Sequence, residues 1–383
     1  MAKAFDISKI GRGARVRRSP YFEATQRYGC KGYTVYNHMY LPNCYSDPVK
    51  EYWKLVRDVT LWDVSVERIV EISGPDGFAL VNKLTPRDLD KCRVGQAKYV
   101  LITAEDGGII NDPVLLRLGE NRFWLALADS DVLLWAKGVA LAGGLKVEVR
   151  EVDVFPLQIQ GPKSRALMGD LFGASILNLP YYDFIESKLD GIPLVITRTG
   201  WTGEVGYEIF LCDPTRGVEL WEKILKTGRR YKITPTGPSD IRRIEAGILN
   251  YGADMTLANN PYEVGLGWLV DLEKRDDFIG KESLRRIKSQ GVRRKLVGVE
   301  IGGRPIEFNM TRWLVRSGGA DIGYVTSAIY SPRLKQNIGY AMLPIEHAEL
   351  GAKFTVMVPG TKGRPAKVVH KPFLDPKKDI PKS

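Results

Sequence analysis

The chain of 383 residues has few histidines and few cysteines, three of the former and four of the latter. The cysteines form no C-x-x-C pair, and the two residue types together show no spacing typical of zinc ligands. Scattered histidines without a G-x-S-x-G sequence also argue against a hydrolase triad. The sequence therefore predicts no metal site, and it indicates a reduced, cytoplasmic protein whose thiols are buried or incidental.

Long apolar runs and targeting signals are missing as well. No stretch of about 18 uncharged apolar residues is present, so the sequence predicts no membrane-spanning helix. The N-terminal segment is basic but lacks the apolar region of a secretory signal. The sequence G-R-G-A-R-V, which begins at Gly11, lacks the third glycine and the preceding strand of a dinucleotide-binding turn, so nucleotide binding is not predicted there.

Positive charge is in excess but is not concentrated. The net charge of +11 comes from 56 lysines and arginines against 45 acidic residues. Only R-G-A-R-V-R-R and the C-terminal K-K-D-I-P-K-S are dense in basic residues, and terminal charge runs are most often solvated. We therefore expect no nucleic-acid partner. The excess does favour small anionic ligands, because it steers them towards the protein.

The chain is long enough for two or three domains of mixed α+β structure. Residues 60–148 alternate strand patterns with two or three helical patterns, and residues 149–285 do so again. The segment 147–160 is predicted as strand, and helices are predicted to be absent from about residue 290. There, short strands between glycine and proline turns indicate a small β-barrel or sandwich.

The stretch A-E-D-G-G-I-I-N-D-P-V-L-L-R-L (104–118) predicts a β-hairpin with an interruption. Pro113 removes a backbone donor and biases Asp112 towards extended geometry, which places the pair at an edge, a bulge or a rim. Aspartate is usually exposed, so the residues alone favour a surface bulge.

A glycine-rich turn precedes a strand at residues 198–211 (R-T-G-W-T-G-E-V-G-Y-E-I-F-L). Its glycines allow a close approach of the backbone to a flat or bulky group. Trp201 offers a ring face, whereas the alternation of the strand alone favours an exposed Glu208. On the later helix, Asp240 and Arg243 are three residues apart and predict a local ion pair.

The order of several motifs is more specific than any one of them. The chain resembles the glycine-cleavage T-protein family of folate-dependent one-carbon transferases, and the motifs that carry the resemblance are LWDVSVERIVEISGPD, GQAKYVLITAEDGGIINDPVLL, LQIQGPKS, RTGWTGEVGYEIF, RIEAGILNYGADM, NPYEVGLGW, DFIGKESL and GYVTSAIYSPRLKQNIGYAML. The resemblance implies a three-domain fold with a central folate pocket and a C-terminal β-barrel. The implied domains are 1–55 plus 150–285, 56–149, and 290–383.

The chain departs from the family's aminomethyltransferases at several motif positions. Their D-V-S-H-M is D-V-S-V-E here, ending at Glu67, and their A-R-D is Pro238-Ser239-Asp240, without an arginine that contacts folate. Trp201 replaces a tyrosine, and the pair D-D is Asn111-Asp112. Together with Y-T-V-Y-N-H-M-Y-L-P near the N-terminus, these changes resemble the dimethylsulfoniopropionate demethylase branch. That branch moves a methyl group from a sulfonium to tetrahydrofolate.

The resemblance implies roles for particular residues. Asp112 matches the acid beside the reactive nitrogens of folate, and it is the implied catalytic residue. The residues implied to bind tetrahydrofolate are Glu208, Trp201, Tyr99, Asp112 and Val114. Cation–π contact with a sulfonium favours aromatic side chains, and the candidates are Trp201, Tyr33, Tyr36 and Trp62. Core packing explains each of these aromatic residues at least as well when it is taken alone.

The chemistry of a sulfonium donor needs little acid catalysis, because the leaving sulfide is neutral. Catalysis would then consist mainly of positioning, with electrostatic help from a nearby carboxylate. The expected partners are a small methyl donor and tetrahydrofolate, and a homodimer is possible. Two alternatives remain open. One is a different donor, such as an aromatic methyl ether or an N-methyl amine. The other is a non-catalytic folate-binding protein, against which the presence of both Asp112 and Glu208 argues.

Overall fold

The computed structural model describes residues 15–383 of the chain, so the motif at Gly11 lies mostly outside the described residues. The strands are β1 Gly32–Tyr36, β2 Met39–Cys44, β3 Thr60–Asp63, β4 Ile69–Ser73, β5 Ala97–Tyr99, β6 Ile102–Thr103, β7 Ile109–Asn111, β8 Val114–Gly119, β9 Arg122–Ala126, β10 Glu148–Val152, β11 Phe155–Gln160, β12 Phe184–Leu189, β13 Ile192–Thr197, β14 Gly206–Leu211, β15 Thr234–Pro235, β16 Arg294–Ile301, β17 Trp313–Ser317, β18 Ala320–Ser331, β19 Gln336–Pro344, β20 Lys353–Val356 and β21 Arg364–Val369. The helices are α1 Phe22–Arg27, α2 Pro48–Arg57, α3 Gly77–Leu84, α4 Val132–Ala142, α5 Ser164–Phe172, α6 Gly217–Gly228, α7 Asp240–Glu245, α8 Lys281–Gln290 and α9 Asp379–Lys382. Within this described range, no helix is long and apolar enough to cross a membrane.

A six-stranded sheet in the order β12-β13-β14-β11-β3-β15 forms the first layer. The buried side chains of α5 and α6 pack on one face of this sheet, and Trp221 of α6 is fully buried there. Tyr21, which precedes α1, joins the same core, so the N-terminal segment packs against this layer. The residues of the candidate site lie on the opposite face of the sheet, which these helices do not cover.

A five-stranded sheet in the order β10-β4-β9-β8-β5 forms the second layer, and α3 and α4 pack on it. The two-stranded hairpin β6–β7 lies beside this sheet. The strands from β16 to β21 form a closed barrel in the order β16-β19-β18-β17-β20-β21. The mixed α+β class and the C-terminal barrel are therefore as predicted, whereas the predicted absence of helices after about residue 290 is wrong, because the short helix α9 follows the barrel. A further apolar cluster joins α7, through Ile241 and Ile244, to barrel residues such as Tyr340.

Two strands belong to different sheets from those that the sequence suggested. The segment 147–160 is not one strand: it breaks after Val152, where the backbone N–H of Val154 donates to the carbonyl of Val152 (2.8 Å). The first half, β10, pairs with β4, whereas the second half, β11, pairs with β14 and β3. The strand β3 thus joins the six-stranded sheet although it lies within the predicted 56–149 domain. The domain boundaries themselves stay a prediction.

Candidate active site

A row of four side chains crosses the six-stranded sheet. In the register of the sheet, Glu208 of β14 lies opposite both Thr197 of β13 and Gln158 of β11, and Gln158 lies opposite Trp62 of β3. Residues that are directly opposite in a sheet point to the same face. The neighbours Tyr207 and Ile209 point into the helix-covered core, so the row faces the other side.

Glu208 is only 4% exposed, so the exposure favoured by strand alternation is not what the structure has. Its carboxylate accepts hydrogen bonds from the amide of Gln158 (2.7 Å) and from the hydroxyl of Thr199. Burial raises the pKa of Glu208, and these donors act in the opposite direction. A carboxylate has about four acceptor positions, so this one keeps room for a further donor.

The glycine-rich turn is shaped by Gln160, a fully buried residue of β11. A side chain on Gly200 or Gly206 would meet the amide of Gln160 at 2.2 and 2.4 Å respectively. That amide donates to the carbonyl oxygen of Thr199 (3.2 Å) and accepts from the hydroxyl of Thr202 (2.6 Å). These two glycines therefore make space for a glutamine of the protein itself, which holds the turn in place.

Trp201 lies at the tip of this turn and is half-buried. It packs against an apolar cluster that contains Trp62 and Val64. The guanidinium of Arg243 lies 5.7 Å from the centre of the Trp201 ring. Trp62, by contrast, is almost completely buried, and its indole N–H has no hydrogen-bond partner among the described residues.

Asp112 follows the hairpin at the predicted interruption between β7 and β8. The hydroxyl of Tyr99 donates to Oδ2 of Asp112 (2.8 Å). The other oxygen, Oδ1, is buried and has no partner within residues 15–383. Burial raises the pKa of Asp112 to about 7, although the bond from Tyr99 opposes this change. The surface bulge that the residues alone favoured is thus wrong, because the carboxyl group faces the interior.

Asn111 has a different environment although it is adjacent. Its amide nitrogen donates to the carbonyl oxygen of Ala128 (2.9 Å) and to the hydroxyl of Ser130 (2.7 Å). Its amide oxygen accepts from the backbone N–H of Ala128 (3.0 Å). The side chain therefore ties β7 to the segment before α4, and it has no free group to offer a ligand.

The interruption at Pro113 also arranges the remaining predicted cofactor residues. The carbonyl of Pro113 accepts from the N–H of Val100 (3.0 Å), and Tyr99 lies opposite Val114 in the β5–β8 pair. Tyr99 and Val114 are both half-buried. Tyr99 thus reaches the carboxylate of Asp112 from the neighbouring strand.

The β1–β2 hairpin brings Tyr36 to the same region. Asn37 at its tip has a positive φ of 49°, and its amide donates to the carbonyls of Val66 (3.0 Å) and Ala128 (2.9 Å). Burial and then the charge of Asp112 raise the pKa of Tyr36. The charge of Asp112 therefore acts on Tyr36, and the role of Tyr36 in substrate binding stays a prediction.

Tyr33 has a separate environment. Its ring packs against Phe22 and Tyr40, with centroid distances of 4.9 and 6.1 Å, and its hydroxyl is 2.7 Å from that of Thr25. Among residues 15–383, no contact joins it to Asp112 or to the Glu208 row. Its role in substrate binding stays a prediction, while the structure supplies a packing role.

Several residues of the site were not singled out as ligands in the sequence. Gln158 and Thr199 hold Glu208, and Glu67 carries a third carboxyl group whose pKa is raised by burial and then by the charges of Glu208 and Asp112. Gln158 within the apolar strand F-P-L-Q-I-Q could have indicated a site residue, because a buried amide needs hydrogen-bond partners. In the sequence, Glu67 was noted only because it departs from the aminomethyltransferase motif D-V-S-H-M.

Buried charges on α7 form a second group. Arg242 donates to Glu204 (2.7 Å), and Arg243 donates to Asp240 (2.9 Å) and to Asp254 (2.6 Å). The predicted local ion pair of Asp240 and Arg243 is therefore confirmed. Across residues 15–383, no group of three or more histidine, cysteine or acidic side chains is arranged to hold a metal ion.

Comparisons with known proteins agree on one family. The profile of the GCVT N-terminal domain matches residues 21–274, and that of the glycine cleavage T-protein C-terminal barrel domain matches residues 294–375. The chain is 36% identical over 353 residues to dimethylsulfoniopropionate demethylase DmdA of Ruegeria pomeroyi, covering 92% of this chain and 96% of the relative. It is 34% identical over 367 residues to an aminomethyltransferase of Bacillus subtilis, covering 94% and 99%.

The fold agrees with a solved structure of the same kind. The crystal structure of the glycine cleavage system aminomethyltransferase T from Bartonella henselae superposes with a TM-score of 0.85 and 25% sequence identity, covering 94% of this chain and 98% of that one. Fold and site thus define a folate-dependent transferase with a closed C-terminal barrel. The chain belongs to the glycine-cleavage T-protein family. It is an enzyme of the methyl- and aminomethyltransferase kind, with tetrahydrofolate as its cofactor.

The residues at the site fit tetrahydrofolate. A reduced pterin offers a row of N–H donors, and Glu208 has acceptor positions left over. The buried Oδ1 of Asp112 lacks a partner, and burying an acceptor without a hydrogen bond is costly. A ligand that brings a donor to this oxygen would remove that cost.

Proposed function

We propose that this enzyme transfers a methyl group from the sulfonium of dimethylsulfoniopropionate to N5 of tetrahydrofolate, giving methylmercaptopropionate and 5-methyltetrahydrofolate. The observation that carries the proposal is the unpartnered Oδ1 of Asp112 in a site that also contains the buried Glu208. The likeness to dimethylsulfoniopropionate demethylase DmdA supports the choice of donor. The departures at Glu67, Trp201 and Pro238-Ser239-Asp240 support it as well.

The chain's own residues would act mainly by positioning the folate and the methyl donor. Bound tetrahydrofolate supplies a nucleophilic nitrogen that accepts the methyl group. Glu208, held by Gln158 and Thr199, would accept hydrogen bonds from the pterin edge and so set its orientation. Asp112, oriented by Tyr99, would place a carboxyl oxygen where positive charge develops on the acceptor side. Tyr99 and Val114 would contact the cofactor beside it.

Aromatic side chains would hold the sulfonium. Tyr36 is half-buried and the charge of Asp112 acts on it, so its ring is suited to cation–π contact. Trp62 lies on the same face of the sheet as Glu208 but is almost completely buried, so its role in holding the donor stays a prediction. Trp201 is better suited to the cofactor, because the guanidinium of Arg243 already lies against its ring. A second cation on that face would be repelled.

Other parts of the proposal concern the setting of the reaction. A cytoplasmic location is consistent with four free cysteines and with the use of tetrahydrofolate. The partners are the methyl donor and the folate, and a homodimer remains a prediction that light scattering would test. The three-domain division, with 1–55 plus 150–285, 56–149 and 290–383, also remains a proposal.

A second candidate function is the transfer of a one-carbon group from another donor. The likeness to the aminomethyltransferase of Bacillus subtilis favours it. A methyl ether has a poorer leaving group than a sulfonium and needs an acid near its oxygen. Asp112, whose pKa burial raises to about 7, is the group that would donate this proton.

A turnover assay separates the two functions. Purified enzyme with tetrahydrofolate is offered dimethylsulfoniopropionate, dimethylglycine, an aromatic methyl ether, or an aminomethyl-lipoyl carrier protein, and the folate products are separated chromatographically. We expect 5-methyltetrahydrofolate and methylmercaptopropionate in equal amounts with the sulfonium only. Formation of 5,10-methylenetetrahydrofolate from the carrier protein, without product from the sulfonium, contradicts the proposal.

A further inference from the structure

Arg198 begins the glycine-rich turn, and it is only 1% exposed. Its main chain is fixed to the segment before β12, because its N–H donates to the carbonyl of Asp183 (2.9 Å) and its carbonyl accepts from the N–H of Tyr182 (3.1 Å). Among residues 15–383, no acidic side chain pairs with its guanidinium, which bonds to main-chain oxygens instead. A buried cation is costly unless such bonds satisfy it, so each of these oxygens matters for the position of Arg198.

The guanidinium of Arg198 joins the two arms of the turn. Its Nη1 donates to the carbonyl of Gly206 (3.1 Å), where β14 begins, and its central carbon lies 5.0 Å from the ring centre of Tyr207. On the other arm, Thr199 follows Arg198 directly, and its hydroxyl donates to the carboxylate of Glu208. The bonds of Arg198 therefore fix the spacing between the two residues that form this part of the site.

The same guanidinium holds residues 374–383, which we name the C-terminal strap. Nη1 of Arg198 also donates to the carbonyl of Pro381 (3.0 Å), and Nη2 donates to the main-chain oxygen of Ser383 (2.5 Å). At the other end of the strap, the N–H of Leu374 donates to the carbonyl of Glu245 on α7 (2.9 Å). The strap thus runs from α7 to the glycine-rich turn.

Between these two attachments, the strap covers part of the turn without packing tightly against it. A cavity of about 30 Å³, with room for one or two water molecules, lies between them. Gly200 and Gly203 line this cavity from the turn, and Asp375 and Lys378 line it from the strap. The strap and the turn are therefore joined mainly by the hydrogen bonds of Arg198.

We propose that Arg198 is a positioning residue for tetrahydrofolate, which sets the affinity of the folate site by tying the glycine-rich turn to the C-terminal strap. The turn carries Trp201 and also Thr199, which orients Glu208, so a movement of the turn changes the site. Arg198 acts through these residues, because oxygens of the protein itself accept the bonds of its guanidinium. This inference rests on the proposed function only for the position of the pterin beside Glu208, and it is independent of the methyl donor.

The role is tested by folate binding together with a spectroscopic probe of the turn. We expect Arg198→Met to raise the Kd of tetrahydrofolate, measured by titration calorimetry, by about 5- to 50-fold. The value of kcat at saturating folate should change less than about twofold, because Asp112 is not altered. Arg198→Lys keeps a cation and should restore part of the affinity. A single 5-fluorotryptophan placed at Trp201 gives one ¹⁹F resonance, which Arg198→Met should shift or broaden.

Two further variants separate the strap from the rest of the chain. Removal of residues 379–383 takes away the acceptors at Pro381 and Ser383 but leaves Gly206, and it should raise the Kd by about 3- to 10-fold. Combined with Arg198→Met, it should add no further loss, because both changes break the same contact. Arg165→Met is the matched control: Arg165 also donates to Ser383 (3.3 Å) but not to the turn, so the Kd and the ¹⁹F spectrum should equal those of the parent.

The outcomes separate this inference from the proposed function. If Arg198→Met lowers thermal stability but leaves the Kd of tetrahydrofolate and the ¹⁹F resonance unchanged, Arg198 is structural only and the inference is refuted. Additive losses in the combined variant refute the role of the strap. If Arg198→Met does not fold, Arg198→Lys and the shortened chain decide the question by the same two measurements. Expected folate losses without product from the sulfonium support the positioning role and refute the demethylase function, and product formation with unchanged folate affinity does the reverse.

Discussion

Two groups of buried acids in this enzyme differ in how they are paired. Beside α7, Asp254 accepts four hydrogen bonds, from Arg243 (2.6 Å), the N–H of Asn250 (2.9 Å), and the hydroxyls of Thr326 and Ser327 (2.7 and 2.6 Å). Within the described part of the chain, Asp112 accepts one side-chain bond, from Tyr99, and its oxygen Oδ1 has none. Both acids are placed by rigid elements, yet only the first is satisfied by the protein itself.

The difference indicates which acids serve the fold and which serve a ligand. Protein interiors pair buried polar groups, so an acid left unpaired marks a position where another molecule completes the bonding. Burial raises the pKa of Asp112 to about 7, but it also raises the pKa of the paired acids Glu204 and Glu245, so hydrogen-bond pairing and not pKa separates the two groups. The acids beside α7 thus hold helix and barrel together, whereas the free oxygen of Asp112 marks the ligand site.

The largest effect is expected from breaking the paired group. Arg243→Met leaves Asp254 buried without its counter-charge, which should lower the free energy of unfolding by about 3–5 kcal/mol. Urea denaturation measures this change. The control is Arg285→Met, which removes an exposed pair with Glu282 and should cost less than about 1 kcal/mol. Equal losses in the two variants would mean that the α7 pairs are not structural.

The next effect concerns the catalytic rate and the stability after substitution of Asp112 and its neighbour Asn111. Asp112→Asn should keep tetrahydrofolate binding and lower kcat by roughly 10- to 1000-fold, because it removes one electrostatic contact to the reacting atoms. Asn111→Ala should instead leave kcat near the parent value and lower stability by about 1–3 kcal/mol, since it breaks three bonds to Ala128 and Ser130. Single-turnover rates at saturating folate measure the first change. An inactive Asn111→Ala beside a fully active Asp112→Asn would exchange the two roles.

A smaller effect is expected at Glu208. Glu208→Gln keeps the shape of the side chain but loses its charge, and it should raise the Kd of tetrahydrofolate by about 10- to 100-fold. Calorimetry measures this value. Glu186→Gln, an exposed position on β12 of the same sheet, is the matched control and should bind folate as the parent does. Unchanged affinity in Glu208→Gln would leave Glu208 as a partner of Gln158 and Thr199 only.

The smallest effect is a pH dependence of stability. The pKa of Asp112 is raised in the folded chain, from 3.8 to about 7, so between these values the folded state holds a proton that the unfolded state releases. The free energy of unfolding therefore falls as pH rises through this window, and Asp112→Asn lacks this loss. The full shift corresponds to roughly 4 kcal/mol, and because Asp112 is only half-buried, solvent screening reduces this. Relative to the parent, the variant should gain on the order of 2 kcal/mol between pH 4 and pH 8. Glu67 and Glu208 titrate in the same direction, so only the difference between parent and variant is diagnostic. A difference that is constant with pH would contradict the raised pKa.

Local patterns in the sequence were sufficient for much of the fold. The hairpin at 104–118 and its interruption at Pro113 follow from turn residues and from a residue without an N–H. The strands between glycine and proline turns after residue 290 predicted the barrel, which closes in the structure. The break after Val152 was missed, because each half of 147–160 alternates as a strand does and nothing local shows that the halves join different sheets.

The sequence by itself thus determined the class of the enzyme, through the order of its motifs, and the position of Asp112 at a point where strand pairing stops. Only the tertiary structure decided that Glu208 is buried, since its face is covered by segments far away in the chain. The same holds for Gln160, whose amide explains the glycines of a turn 40 residues later. The physical reason is that burial and pairing depend on register across a sheet and on contacts between distant segments, which the spacing of residues along one strand does not encode.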